Sequence, residues 1–242
     1  MLRQFSKSLT SFGIALGVLV ALGATALPCH AAMINLTPNP GQVNSSGTVL
    51  MSDLLSGEVM GITVGDKEFT GFAYGRTNDM PPATAVNVLG LKDTSGNWGI
   101  TFQGAFGDTP GNGGSDAFIR YQVEVTDPLF LIYDVHLAGN PNVLGENDGT
   151  MSITESFVPL PSPQLEIFDD FGNEKFIDWA NLMAPVKILH VQKDIHSIAI
   201  TSSSTLSFID QSFSQIQIPE PATVLMSVIG MVALAGYLRR RD

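Results

Sequence analysis

Between Phe118 and Thr126 the chain reads FIRYQVEVT. Phe118, Arg120, Gln122, Glu124 and Thr126 occupy one phase of a two-residue alternation, and Ile119, Tyr121, Val123 and Val125 occupy the other. Successive side chains of a strand leave opposite faces. The pattern therefore specifies a half-buried strand, with the four apolar residues inward and Arg120, Gln122 and Glu124 exposed. A helix would scatter the apolar set around its circumference. Asp127-Pro128 breaks the run, and LFLIYDVHL after it is predicted as a second strand and hairpin partner.

The same alternation recurs. Trp98, Ile100 and Phe102 alternate with Gly99, Thr101 and Gln103, and Met151, Ile153 and Phe157 alternate with Ser152, Thr154 and Ser156. VKILHV (186–191), IAIT (198–201) and LSFID (206–210) read as further strands, with Ile153 and Phe208 joining the inward set. Gly- and Pro-rich clusters separate these segments: TPNPG, NDMPPA, DTPGNGG, GNPN and VPLPSP. Only SDLL near residue 52 and IDWANLM near residue 177 read as short helices. Many short strands, frequent turns and no solenoid-length repeat predict an all-β domain over 33–217, an antiparallel β-sandwich or jelly roll.

The two ends do not share that pattern. Arg3 and Lys7 precede an uncharged run, SFGIALGVLVALGATAL, followed by PCHAAM. A basic start, an apolar centre and alanines before a cut predict a secretory signal peptide over 1–32, cleaved after Ala31 or Ala32. Cys29 is the sole cysteine and lies inside that segment, so the exported part has no disulfide, thiolate nucleophile or cysteine-ligated metal. From Met33 to Ile218, seven Lys and Arg stand against 21 Asp and Glu, a net charge of −14. Such a surface repels phosphate backbones, which excludes nucleic acid as a partner.

Past Ile218 come Pro219-Glu220-Pro221, the uncharged ATVLMSVIGMVALAGYL of 222–238, and Arg239, Arg240 and Arg241. Each proline fixes φ and lacks an N–H, so the triplet forms an extended spacer after the domain. As a helix, 222–238 spans about 25 Å, slightly less than the hydrocarbon core of a bilayer, which predicts a transmembrane segment. The three arginines would reach the headgroups and stop the helix on the cytoplasmic side.

This order of Pro-Glu-Pro, short apolar helix and terminal arginines resembles the PEP-CTERM sorting signal of bacterial exported proteins. The resemblance covers 218–242 and implies recognition of Pro219-Glu220-Pro221 by an exosortase, an integral membrane enzyme. It further implies removal of the tail and transfer of the domain to the cell envelope or an extracellular polysaccharide matrix. GDKEFTGFAY, ITFQGAF, SDAFIRYQVEVTDP, HLAGNP, VQKDI and IDQSFSQIQIPEP are similar to a recurring PEP-CTERM ectodomain type of unknown function. That likeness implies one continuous domain and conveys no activity.

Several residues invite chemistry. A serine hydrolase needs a nucleophile, a His base and an orienting acid. His136, His190 and His196 remain beyond the signal segment, and the nearest nucleophile motif, GGSDA around Ser115, lacks the second glycine of a G-x-S-x-G elbow. Glycoside hydrolysis needs two carboxylates about 5 to 10 Å apart. Glu124 and Asp134 meet that requirement across the expected hairpin, and Glu155 sits on an otherwise apolar strand face. Asp134 and His136, at i and i+2, share a face as metal ligands do, but no third-ligand motif accompanies them. Gly145–Gly149, Gly107–Asp116 and Phe168–Glu174 are oxygen-rich loops that suit calcium, though none has EF-hand order. In so acidic a chain these residues read as a solvated surface. No catalytic residue, metal ligand or cofactor is assigned, and calcium is the one ion the loops suit.

The expectation is an exported, non-catalytic envelope or extracellular-matrix protein. Its partners are an exosortase-type enzyme, the membrane through 222–238 and an extracellular polysaccharide. The alternative is a secreted glycan or ester hydrolase on the same fold. An exposed aromatic platform would favour the first, and a cleft holding Glu124, Asp134 or Glu155 with a raised pKa the second.

Overall fold

The computed structural model describes residues 32–36, 47–111, 113–145, 149–158, 163–170 and 172–218, together with Gly230, Met231 and Arg239. Segment 1–31, Pro219-Glu220-Pro221, Arg240 and Arg241 lie outside the described residues, as does 222–238 apart from Gly230 and Met231. Among the described residues no helix is long and apolar enough to cross a membrane.

The alternating segments fold as strands of two sheets that share one core. One sheet has the order β1 (Ala32–Asn35), β3 (Val59–Val64), β4 (Lys67–Arg76), β7 (Ser115–Val125), β14 (Ile188–Ala199), β10 (Gly149–Val158), β11 (Leu165–Asp170) and β12 (Asn173–Lys175). The other has β13 (Ile177–Val186), β8 (Phe130–Gly139), β15 (Ser204–Gln217), β6 (Trp98–Asp108), β5 (Asn87–Lys92) and β2 (Thr48–Leu50). A two-residue strand, β9 (Asn142–Val143), pairs with the start of β15. Every described ladder is antiparallel except that of β1 with β3. This is an all-β, two-sheet sandwich. Its inner faces meet in a layer of Val, Ile, Leu and Phe side chains.

β7 follows the expected register. Ile119, Tyr121, Val123 and Val125 are buried and Arg120 is exposed, while Gln122 and Glu124 are half-buried. Ile153 is buried, but Phe208 is only partly so. The β15–β6 ladder shifts between Leu206 and Phe208, and this bulge turns Leu206 and Ile209 inward instead.

Two further expectations need correction. β7 and β8 do not form a hairpin, because they belong to opposite sheets. The Asp127-Pro128 turn carries the chain over the edge of the sandwich, held by Leu129 N–H on Asp127 Oδ1 (2.9 Å) and Lys187 Nζ on the Asp127 carbonyl (2.6 Å). IDWANLM is not helical but opens edge strand β13. Ile177, Ala180 and Met183 fall at helical spacing by coincidence, whereas pairing with β8 decides the structure. SDLL does lie in a helix, α1 (Met51–Ser56), which ends at Gly57 with φ 81°.

Candidate functional site

The outer face of the sheet containing β13 carries the most distinctive surface. Trp179, His136, Ser212, Gly99 and Leu91 stand in one cross-strand row over β13, β8, β15, β6 and β5. Ala138 and Asp210 lie in the adjacent row. Trp179 sits on the edge strand and is 60% exposed. Its ring lies 6.5 Å from that of His136, at an interplanar angle of 22°. His136 is itself fixed, with Nε2 2.8 Å from Asp134 Oδ1, and the Ser214 hydroxyl donates to the same carboxylate oxygen. Asp178 secures the strand beneath Trp179 by accepting the Trp179 N–H (3.0 Å), the Glu166 N–H (2.9 Å) and Lys175 Nζ (2.9 Å). Burial pushes the Asp178 carboxyl up, but these donors outweigh it and hold it below the ordinary carboxylate range.

Beside the ring pair runs a groove of 400 Å³. Ile177 and His136 form one wall, Ala138, Asp210 and Ser212 the floor, and the turn after β5 the other wall. Gly99 contributes no side chain to this row, because a Cβ there would lie 1.8 Å from the Gln211 carbonyl oxygen. Asp93 builds the turn: its carboxylate accepts the N–H groups of Ser95 and Asn97 (both 2.9 Å), Asn97 Nδ2 (3.0 Å) and the Ser212 hydroxyl (2.6 Å). Burial raises the Asp93 pKa, yet these four bonds prevail and hold it below its ordinary value, so Asp93 is ionised at neutral pH. On the floor, Asp210 accepts the Thr101 hydroxyl at 2.5 Å. Burial pushes the Asp210 carboxyl up, opposed in part by Thr101 and by the charge of Lys193. Lys92 lies 4.2 Å over the Trp98 ring at the groove margin. The groove therefore offers the His136 ring, with Trp179 beside it outside the lining, polar groups held largely by one another, and the Lys92 cation.

A second hollow, of 620 Å³, lies at the start of β15, lined by Phe106, Asp108, Thr109, Asn140 and Ser204 among others. Its polar groups bind one another. Asp108 accepts the Ser115 hydroxyl (2.6 Å) and the Ala199 N–H (2.8 Å), and Asn140 Nδ2 donates to Ser207 (2.7 Å). Its aromatic, Phe106, is buried. It has no platform comparable to Trp179.

The residues singled out for hydrolysis do not come together. Glu124 and Asp134 occupy opposite sheets, with their side chains in the outward phases, so the thickness of the sandwich separates them. Glu155 faces into the core, fully buried on Lys193. Ser115 is buried on Asp108, whereas His196 lies outside with Nδ1 2.7 Å from Asp116 Oδ1, so that imidazole is not engaged with the hydroxyl. His190 is exposed on β14. Of the three oxygen-rich loops, Asp108 and Asp169 are spent on protein donors, Asp169 accepting the Val143 N–H at 2.7 Å. Residues 146–148, 112 and 171 of those loops lie outside the described residues. Among the described residues no three His, Cys, Asp or Glu side chains converge as metal ligands.

Asp134 and His136 do share a face, as their spacing predicted. The sequence did not single out Trp179, Asp93, Asp210 or Ser212. The available signal for Trp179 was the period-two placement of Ile177, Trp179 and Met183, all strongly exposed in the strand.

No family model matches the chain, and no curated protein does. Among solved structures, TmCBM61 in complex with beta-1,4-galactotriose is similar at 9% identity and TM-score 0.30, over 58% of this chain and 88% of that one. The enzymatically active domain of bacteriophage CBA120 tailspike protein 4 is similar at 11% identity and TM-score 0.28, over 59% of this chain and 19% of that one. A structure of carbohydrate-binding modules from the β-sandwich superfamily is similar at 12% identity and TM-score 0.28, over 61% of this chain and 57% of that one. Likeness at these scores carries no argument about ligand or activity.

Proposed function

We propose that this is an exported, non-catalytic protein of the cell envelope or extracellular matrix, sorted through Pro219-Glu220-Pro221, whose Trp179 groove holds a segment of neutral polysaccharide. The glycan part rests on one observation: a large indole, 60% exposed, held nearly parallel to the ring of His136, which lines the groove. The apolar C–H face of a pyranose covers such a ring and removes its surface from water. Lys92 and Asp210, which line the same groove, then donate to or accept from the hydroxyls at the sugar rim. The excess of acidic residues favours neutral over anionic glycans. Export rests on the basic and apolar start of the chain, and a cut after Ala31 leaves β1, which begins at Ala32, whole.

The test is calorimetric titration of the purified protein against a panel of neutral polysaccharides, beside a W179A variant. A ligand of the unmodified protein should bind the variant at least about tenfold more weakly, a cost of about 1.4 kcal/mol. Folding stability should change by no more than about 0.5 kcal/mol, because the ring is a surface group. Equal binding by both proteins would remove Trp179 from the site.

A further inference from the structure

The core of the sandwich contains a charged cluster that the groove does not use. Glu155 on β10 and Lys193 on β14 are direct cross-strand partners, and both are 0% exposed. Ile119 and Leu165 continue their row on either side. Gln211, also fully buried, enters from the opposite sheet, where its own row contains Leu137 and Ile100. Lys193 Nζ is hydrogen-bonded to Glu155 Oε2 and to Gln211 Oε1. Among the described residues, Glu155 Oε1, Gln211 Nε2 and the Tyr121 hydroxyl are buried with their hydrogen-bonding capacity unused. An amine, a carboxyl and a carboxamide thus meet in an apolar enclosure, an arrangement that is costly as a mere ion pair.

We propose that Lys193 and Gln211 condense into an intramolecular ε-(γ-glutamyl)lysine amide that ties the two sheets together, with Glu155 relaying the proton. The Nζ lone pair attacks Gln211 Cδ, and a C–N bond forms. The Cδ–Nε2 bond then breaks, and Nε2 leaves as ammonia. The neutral Glu155 carboxyl gives its proton to the departing nitrogen and takes up the one that Nζ loses, so it ends as it began. Nothing is oxidised or reduced, and no co-reactant is needed. The bond to Oε1 holds the amine beside Cδ, where near-attack separations are about 3 to 3.5 Å. Burial favours the neutral forms this step requires. Desolvation pushes the Lys193 amine down and the Glu155 carboxyl up, each opposed only in part by the other's charge. The same enclosure keeps water from hydrolysing the product. The link would close the segment from 193 to 211 across the core of a domain that has no cysteine to do so.

The test is tryptic peptide mapping by mass spectrometry of the unmodified protein and of E155Q, with the fold of each checked by circular dichroism. The unmodified protein should lack cleavage after Lys193. It should yield one looped peptide running on from Ile188 through Lys193 and Gln211, about 17 Da lighter than the same uncut sequence through loss of ammonia, whereas an unlinked chain gives two linear peptides that part after Lys193. Folded E155Q should give the two linear peptides. Recovery of both linear peptides from the unmodified protein, with cleavage after Lys193, overturns the link whatever the variant does. A folded E155Q that is linked as fully as the unmodified protein overturns the relay role of Glu155.

Discussion

An E220A chain expressed in its native cell should remain full-length in the membrane fraction, with the processed form absent. The substitution leaves the uncharged 222–238 segment and its arginines untouched. On the proposed sorting role, hydrophobic insertion and the cytoplasmic charge stop should therefore persist, and only the recognition step between the two prolines should be lost. Deleting Arg239, Arg240 and Arg241 should act differently. If 222–238 forms the helix its sequence predicts, it would span about 25 Å, barely long enough to cross, so without its charged stop it should be retained and oriented poorly. Immunoblots of membrane, envelope and medium fractions separate the two outcomes. If E220A is processed and distributed like the unmodified chain, Pro219-Glu220-Pro221 is not a sorting signal and the tail is a plain anchor.

The largest expected loss of stability lies at Phe69. Its ring on β4 is fully buried, 6.0 Å from that of Tyr121 on β7 and 6.1 Å from that of Phe213 on β15, so it bridges the two sheets. F69A removes that burial and opens a cavity that strand backbones cannot close, at a cost of about 3 to 5 kcal/mol. A domain of this kind has about 5 to 15 kcal/mol in total, so the variant should approach the threshold of folding. Urea unfolding should show a much lower midpoint. F118A, on the outer face of the same sheet, should lose only about 1 kcal/mol, chiefly its contact with the Arg120 guanidinium. Similar losses for both would mean that Phe69 is not at the centre of the core.

The contrast between these two phenylalanines was legible at the level of strands. Alternation gave β7 its inward face, and the same rule placed Ile100, Phe102 and Ile153 correctly. Pairing was not legible. Nothing in Asp127-Pro128 distinguishes a hairpin from a crossing between sheets, and that choice decides whether Glu124 and Asp134 meet. Phe208 failed for a related reason, since a bulge shifts phase without leaving a mark in the composition. The groove was hidden because Trp179 lies on an edge strand, where Ile177, Ala180 and Met183 also fall at helical spacing. The buried cluster was partly visible. Glu155 stands in the apolar phase of its strand, and Lys193 does the same between Val191 and Ile195. A charge in the inward phase is a signal of a buried partner. Gln211, the member that makes the cluster reactive, belongs to the strand whose phase the bulge obscures.

The glycan proposal can be tested on the ring that carries it. The chain has two tryptophans, Trp98 and Trp179. Trp98 is half-buried over Gly65, where an added Cβ would lie 2.3 Å from the indole, and under Lys92. A W98F variant leaves Trp179 as the sole indole reporter, beside His136 of the groove wall. Titrating that variant with a neutral polysaccharide retained by the unmodified protein should shift and saturate the Trp179 emission, at the midpoint found by calorimetry. Emission that stays constant through saturation of binding would place the glycan elsewhere and contradict the groove as its site.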